Sequence, residues 1–385
     1  MSDGTTGTKR AGGTAFWVVG AILLLVMPLL NVLPPEDSWF HLSDFSLNRF
    51  GKFLAFGILA LGLDLIWGYT GILSLGQGVF FGLGAYCMSM HMMLTIGKES
   101  VYGSEMPDFM VWNQVKELPL FWKPFYSFPM AVIGAILVPM LFALIFGFFA
   151  FRSRIKGVYF AIITQALALV AWLVFNRNDT NLGGTNGLTD FKQIIGYRLS
   201  EPGTQRVLYV ITVLCLGASY LFCQWIIRSR AGRVLVAVRD SEKRVVFSGY
   251  TPANYKLFVF VVAAALAGLA GMLYAPQVGI ITPAQIGVLP SLEMVIWVAV
   301  GGRASLAGAV LGAVSVNYGR SVLTNYFPEL WPFILGGLFV LVVLLFPDGL
   351  IGMMRKGKDL LGQRKTGEEK PIVPNGKIAV PEGKR

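Results

Sequence analysis

The sequence predicts an all-α, polytopic membrane protein with about ten transmembrane helices, some of them short or broken. Of the 385 residues, 55% are hydrophobic and 14% are charged, and the mean hydropathy is +0.64. This balance is typical of a chain dissolved in lipid rather than in water. The hydrophobic residues fall into blocks close to the length of about 20 residues that crosses a bilayer as a helix. Short polar or Pro- and Gly-rich breaks separate the blocks.

Ten hydrophobic blocks are candidate spans. In chain order they cover residues 15–33, 53–68, 72–95, 127–150, 157–175, 206–227, 257–275, 290–301, 304–322 and 331–347. The eighth block is too short for a full crossing, so we expect a half-helix or a re-entrant segment there. Residues 15–352 therefore form the predicted transmembrane domain, between a tail at 1–14 and a basic tail at 353–385 whose composition is typical of disorder.

The distribution of Lys and Arg predicts the orientation of the chain. Residues 228–256 carry seven positive residues and two acids, and residues 152–156 and both tails are also basic. Because short basic loops stay on the cytoplasmic side, we expect residues 228–256 and both termini in the cytoplasm. Loops 96–126 and 176–205 are then on the outside. The net charge of +11 follows from this topology and does not require a nucleic-acid partner.

The segment GYTGILSLGQGVFFGLGAY contains six glycines in nineteen residues, although glycine disfavours a helix interior. Ser74, Gly78 and Gly82 recur every four positions, so they share one helix face that another backbone can approach closely. Gly268 and Gly271, in AAALAGLAGMLYA, belong to a similar set of small residues. We predict helix packing at these four glycines. The segment GGRASLAGAVLGAV repeats the first pattern 231 residues later, as in transporters built from two related halves.

Neutral polar side chains within the predicted spans are candidates for a solute pathway. They are Ser74, Gln77, Thr164, Gln165, Gln277 and Asn317. Their amide and hydroxyl groups donate and accept hydrogen bonds without carrying a charge, so they suit a small, neutral, polar solute. A permanently charged solute would need an opposite charge along its path. The alternative role of the same side chains is to bond neighbouring helices.

The stretch RVLVAVRDSEKRVVFSGYTPANYK, residues 233–256, combines helix-forming residues with a cluster of charges. It has more apolar residues than a solvated loop needs, namely Val234, Leu235, Val238, Val245, Val246 and Phe247. We predict that it binds a partner through Arg239, Asp240, Glu242, Lys243, Arg244 and Tyr250. The alternative is a solvated loop that only fixes the orientation of the chain.

Five segments resemble, in this order, the branched-chain amino-acid and amide permeases of ATP-binding cassette importers. They are GYTGILSLGQGVFFGLGAY, GVYFAIITQALA, NRNDTNLGGTNGLTDF, LVAVRDSEKRVVFSGYTPANYKLFVFVVAAALAGLAGMLYAPQVG and VIWVAVGGRASLAGAVLGAV. The resemblance covers roughly residues 50–352. Within the family, the insert YGSEMPDFMVWNQVKELPLFWKPF is similar to the UrtC-type urea permease rather than to the LivM-type amino-acid permease.

The resemblance implies a multi-pass subunit of an importer in the bacterial inner membrane. Its implied partners are a second homologous permease subunit, two cytoplasmic ATPases and a periplasmic solute-binding protein. Residues 233–256 would be the coupling helix that contacts an ATPase. The sequence contains no Gly-x-x-x-x-Gly-Lys-Ser/Thr loop, so we expect ATP and Mg on the partner subunits, no cofactor in this chain and no enzymatic activity of its own.

Through the insert, the resemblance makes urea the expected solute. A branched-chain amino-acid permease of the same family and a passive urea or amide channel are the alternatives. A proton- or sodium-coupled transporter would need paired ionisable residues in mid-membrane, but Asp64, Glu293, Arg303 and Arg320 lie toward the ends of predicted spans. A membrane-embedded enzyme would show convergent nucleophile, base or metal ligands, and the sequence shows none.

Overall fold

The structure, a computed structural model, describes residues 19–35, 38, 41–99, 102–153, 155, 157–345 and 349. Twelve α-helices dominate this part of the chain: α1 Met27–Val32, α2 Asp44–Thr70, α3 Gln77–Ile96, α4 Asp108–Trp112, α5 Phe128–Arg152, α6 Val158–Phe175, α7 Pro202–Arg228, α8 Arg230–Phe247, α9 Pro252–Val278, α10 Val288–Gly301, α11 Leu306–Tyr326 and α12 Trp331–Leu345. The predicted all-α membrane fold is confirmed. The predicted tails 1–14 and 353–385 lie outside the described residues, as do Arg154 and Lys156 of the basic stretch.

Two pairs of very short strands lie in the connections. Their bounds are β1 Leu188–Thr189, β2 Gln193–Ile194, β3 Tyr197–Arg198 and β4 Ile280–Ile281. β1 pairs antiparallel with β4, with Leu188 opposite Ile281, and β2 pairs antiparallel with β3. The β1–β4 pair joins the connection before α7 to the end of α9.

Six helices are long and apolar enough to cross a membrane, namely α2, α3, α5, α6, α7 and α9. They coincide with the second to the seventh predicted spans. Among the described residues, the first and eighth blocks form helical stretches of 14 residues each, and α12 has 15 residues. α11 has 21 residues, but Asn317 and Arg320 make it more polar. Six of the ten predicted spans are therefore clear crossings by length and composition, and the other four are shorter or more polar helical stretches. The eighth block, at about 21 Å, is too short to span, as expected.

Three of these six helices form the centre of the bundle. In the most apolar 18-residue window of each helix, the buried share is 83% for α2, 89% for α3 and 72% for α9. The corresponding fractions for α5, α6 and α7 are only 22%, 28% and 33%. α9 packs against α2, α3 and α5, and α2 also packs against α7 and α11. The outer helices present apolar side chains outward, as a surface in contact with lipid requires.

Glycines allow α3, α5 and α9 to approach one another closely. A Cβ atom on Gly84 of α3 would lie 2.5 Å from the Cα atom of Gly268 in α9. A Cβ atom on Gly271 would lie 2.8 Å from the backbone nitrogen of Ala85, and one on Gly268 would lie 2.8 Å from Cγ of Pro139 in α5. Both predicted packing positions of α9 therefore face neighbouring backbone or a rigid ring, where no larger residue fits.

Gly78 and Gly82 face a turn rather than a long helix. A Cβ atom on Gly78 would lie 2.9 Å from the carbonyl oxygen of Gln285, and one on Gly82 would overlap the side chain of Ile286. Both contacts belong to the short helical turn Pro283–Ile286 that precedes α10. The small residues thus let the start of α3 dock against the connection between α9 and α10.

α3 begins later than the hydrophobic block predicts. Its first residue is Gln77 and its N-cap is Gly76, so Ser74 lies in a non-helical stretch and does not share the helix face. The prediction that Ser74 continues the stripe of Gly78 and Gly82 is therefore wrong. The backbone nitrogen of Leu75 donates to Oγ1 of Thr164 in α6 at 2.9 Å, which satisfies this donor outside a helix.

The basic segment 228–256 is mostly helical rather than a loop. Ser229 caps α8 by accepting a hydrogen bond from the backbone nitrogen of Gly232 at 3.3 Å. A kink at Ser241, with φ −163° and ψ 98°, divides α8 into two parts. α9 starts at Pro252, and α8 packs against α2, α7 and α9. The end of the bundle that carries α8 is called the α8 end below.

Candidate functional site

A cavity of about 840 Å³ lies at the end of the bundle opposite α8. Its walls come from the first half of α2, the last turns of α9, the first half of α10 and the second half of α11. α2 and α10 run toward the α8 end, whereas α9 and α11 run away from it. The four helices thus contribute termini to the same end of the bundle.

One wall of the cavity is aromatic. The ring centroids of Phe56 and Trp297 are 4.8 Å apart, and those of Phe56 and Tyr274 are 5.5 Å apart. Phe81 adds an edge contact to Tyr274 at 5.1 Å. These rings come from α2, α3, α9 and α10, so the wall forms only when the central helices pack together. Such a surface has the chemistry to accept an apolar group.

Four charged residues also line the cavity. Arg49 and Lys52 come from α2, Glu293 from α10 and Arg320 from α11. Nη1 of Arg320 donates to Oε2 of Glu293 at 2.5 Å, and Nη1 of Arg49 donates to Oγ of Ser321 at 3.1 Å. The cavity therefore carries both signs of charge, whereas all six predicted pathway residues are neutral.

Arg49 and Lys52 were not among the predicted site residues, because the second span was expected to begin at residue 53. α2 begins instead at Asp44, with Ser43 as its N-cap: Oγ of Ser43 accepts from the backbone nitrogen of Ser46 at 3.3 Å. The helix therefore carries both cations into the bundle. The signal available in the sequence was the Ser-Asp-x-Ser cap, which marks a helix start nine residues before the hydrophobic block.

Two of the six predicted pathway residues line the cavity. Gln277 is 6% exposed, and its Nε2 donates to Oγ1 of Thr212 at 2.7 Å and to the carbonyl of Leu273 at 3.0 Å. Asn317 is 4% exposed, and its Nδ2 donates to the carbonyl of Ala313 at 2.8 Å. Both amide groups are held by their own or neighbouring helices at the cavity wall.

The other four lie away from the cavity, where α3 meets α6. Ser74, Gln77 and Thr164 are buried, and Nε2 of Gln77 donates to Oγ of Ser74 at 3.3 Å. Oγ1 of Thr164 donates to carbonyls of its own helix and accepts from Leu75. Gln165 is half-buried on α6. Ser74 and Gln77 bond each other locally, and Thr164 bonds a separate segment at Leu75. The role of all four residues in a solute pathway stays a prediction.

The six predicted coupling residues divide into two groups. Arg239 and Glu242 contact other helices: Nη1 of Arg239 donates to the carbonyl of Gly68 in α2 at 2.9 Å, and Glu242 pairs with Lys256 of α9 at 2.9 Å. The outward group is Asp240, Lys243, Arg244 and Tyr250, which are all exposed. Within it, Tyr250 packs edge-on against Tyr255 of α9. A partner bound to the outward residues would therefore act on helices held by the other two.

The apolar side chains of α8 also divide into two groups. Leu235, Val238 and Val245 are at most 5% exposed and attach α8 to the rest of the chain. The expectation that all the apolar residues of this segment await a partner is therefore wrong for these three. Val246 is 55% exposed and Phe247 is 89% exposed. These two side chains form the apolar part of the outward surface, beside a groove lined by Arg230, Arg233 and Arg244.

A polar junction connects α2 to the break between α10 and α11. Asp64 of α2 is fully buried, and its Oδ1 accepts from the backbone nitrogen of Ala304 at 2.8 Å, in the break between α10 and α11. The hydroxyl of Tyr69 donates to the carbonyl of Ala304 at 3.1 Å. Ala304 has a positive φ of 57°, so this contact holds an unusual backbone conformation. Asp64 was expected near a span end; it lies two turns inside α2.

The two predicted outer loops pack together. Nε1 of Trp122 donates to the carbonyl of Asn181 at 3.0 Å, and Nδ2 of Asn113 donates to the carbonyl of Asn178 at 3.3 Å. Exposed Arg177 pairs with Asp179, and this hydrogen bond lowers the pKa of the Asp179 carboxyl. The insert and the neutral loop 176–205 thus form one surface at the cavity end of the bundle.

A family model described as "Branched-chain amino acid transport system / permease component" matches residues 46–343. The chain belongs to this family. The permease therefore is a transport subunit and not itself an enzyme. The matched residues include nearly all of α2, the whole of α8 to α11 and the break between α10 and α11.

Permease proteins of three bacteria are similar to this chain over most of their length. The high-affinity branched-chain amino acid transport system permease protein LivM of Salmonella typhimurium is 26% identical over 89% of this chain and 78% of its own. BraD of Pseudomonas aeruginosa, a permease protein of such a system, is 24% identical over 77% of this chain and 91% of its own. LivH of Escherichia coli is 21% identical with the same coverage. No solved structure matches this chain.

Proposed function

We propose that this permease is a membrane subunit of an ATP-binding cassette importer and that it carries branched-chain amino acids. The observation that carries the proposal is the cavity, where Arg49, Lys52, Arg320 and Glu293 lie beside the wall of Phe56 and Trp297. A free amino acid has a carboxylate, an ammonium group and a side chain. Both charges need partners when they leave water, and a branched aliphatic side chain needs an apolar surface.

Urea is the second candidate solute, favoured by the similarity of the Tyr102–Phe125 insert to urea permeases. Urea carries no charge, so it has no use for three cations and a carboxylate around the cavity. The names of the relatives also refer to branched-chain amino acids. The insert lies in the outer-loop surface, where it contacts Asn178 and Asn181 rather than the cavity walls. We therefore prefer the amino acid.

The proposed assembly places the α8 end in the cytoplasm of a bacterium and the cavity end outside its inner membrane. In this arrangement the first hydrophobic block and α12 also cross the membrane, so both termini are cytoplasmic. The outward residues of α8 bind one of two ATPase subunits, which hold ATP and Mg. A second homologous permease subunit completes the pathway, and a solute-binding protein docks on the outer loops. The basic composition of residues 228–256 and the exposed Phe247 support this orientation.

We expect a strain that lacks this gene to lose high-affinity uptake of radiolabelled leucine and to keep its uptake of urea. Expression of the permease from a plasmid should restore leucine uptake, because the cavity supplies cations for the carboxylate and an apolar wall for the side chain of the solute. The matched control is the empty plasmid in the same strain. Loss of urea uptake with leucine uptake intact would contradict the proposal and support the second candidate.

A further inference from the structure

The charges around the cavity do not balance. Among the described residues that line it, three are cationic and one is a carboxylate, Glu293. That carboxylate is already engaged, because Arg320 donates to it. The remaining cations are Arg49 and Lys52, one turn apart on α2. A site inside the membrane with an excess of positive charge favours a negatively charged group of a ligand.

Arg49 has other partners that hold its guanidinium group. Its Nη1 donates to Oγ of Ser321 in α11, and its Cζ lies 4.4 Å from the centroid of the Phe45 ring. This arrangement stabilises Arg49 at the mouth of the cavity, where α2 begins. Of the two remaining cations, Arg49 is therefore the one whose guanidinium group already has partners within the protein.

Lys52 lies deeper and has a different environment. Its Nζ is 5.7 Å from the ring centroid of Tyr274 and 5.9 Å from that of Phe56. Among the described residues, no carboxylate comes within 4.0 Å of this ammonium group. The cation–π contacts offset only part of the cost of removing a charged ammonium from water. Lys52 thus keeps three N–H donors for a group that enters the cavity.

We propose that Lys52 binds the carboxylate of the transported solute and makes this permease selective for carboxylate-bearing molecules. This inference rests on the proposed function, since it takes the solute to be an amino acid. With the carboxylate at Lys52, the aliphatic side chain of the solute lies along the wall of Phe56 and Trp297. Lys52 is then a specificity-determining residue, while the aromatic wall selects the side chain.

The test uses the purified importer complex without its solute-binding protein. Equilibrium binding of radiolabelled leucine is measured in competition with isocaproate, which has the carboxylate but no amine, and with isopentylamine, which has the amine but no carboxylate. We expect Lys52→Met to weaken binding of leucine and isocaproate about tenfold, because a charge-assisted hydrogen bond is lost. Binding of isopentylamine should not weaken. Lys52→Arg should restore the affinity for both carboxylates.

Lys116→Met makes the same substitution at an exposed position of the outer loop and serves as the control. Thermal unfolding of each complex identifies variants that do not fold; Lys52→Gln then replaces Lys52→Met. Unchanged binding of leucine and isocaproate in a folded Lys52→Met complex would overturn this inference, and so would an equal loss for all three ligands. Either result leaves leucine uptake by the wild type, and hence the proposed function, intact. A wild-type strain without leucine uptake would overturn both this inference and the proposed function.

Discussion

Replacement of Gly271 with valine is expected to prevent assembly of the permease and to abolish transport. Gly271 lies where α9 crosses α3, and even a Cβ atom there would be 2.8 Å from the backbone nitrogen of Ala85. Overpacking costs about 1–3 kcal/mol where side chains can yield, and backbone yields less readily. We therefore expect the free energy of unfolding to fall by an amount at the upper end of this range. The measurements should show a lower yield of assembled complex, a lower unfolding temperature and no leucine uptake.

Gly217→Val is the matched control. Gly217 lies within α7, and a Cβ atom there would meet no atom within 4 Å. The same substitution should therefore leave the yield, the unfolding temperature and transport close to those of the wild type. Equal behaviour of the two variants would show that α3 and α9 do not depend on close backbone contact at Gly271.

Phe247→Asp is expected to uncouple transport by removing the apolar anchor of the proposed ATPase-binding surface. Phe247 is 89% exposed in the free chain and lies at the end of α8, so the substitution should not disturb folding. A buried aromatic anchor of an interface contributes about 2 kcal/mol or more to binding, which corresponds to at least about a thirtyfold loss of affinity. Co-purification of the ATPases and solute-stimulated ATP hydrolysis are the measurements, and both should fall strongly.

Ser248→Asp introduces the same charge at the next exposed residue and is the control for Phe247→Asp. It should retain most of the ATPase binding, because no apolar contact is lost. Val238→Asp is not a comparable test, since Val238 is 5% exposed and its replacement would detach α8 from the bundle. Normal ATP hydrolysis with Phe247→Asp would place the docking surface elsewhere on the chain.

The apolar blocks of the sequence were sufficient to predict the membrane fold. Every backbone polar group in lipid must be bonded within its own segment, so a long apolar block has few structures available besides a helix. The second to seventh blocks correspond to the six clear spanning helices. The same reasoning predicted the short eighth segment, which is α10. The basic character of residues 228–256 could also be predicted, because it depends only on local composition.

The candidate cavity was not readable in the same way. Arg320 and Glu293 lie 27 residues apart in sequence and Arg49 and Ser321 lie 272 residues apart, yet each pair is in direct contact. Hydropathy also assigned Arg49 and Lys52 to the solvent, since the apolar block starts at residue 53. A cap at Ser43 extends α2 across both residues, and the neighbouring helices then enclose them.

Hydropathy and local helix signals depend on residues that are close in the chain. By themselves they determined the membrane location, the order of the spanning helices and the basic character of α8. Only the tertiary structure decided which polar groups line the cavity, as Gln277 does, and which are buried away from it, as Thr164 is. The reason is physical: the environment of a polar side chain in a bundle is set by partners from distant segments. The contact between Asp64 and Ala304, 240 residues apart, is the clearest case.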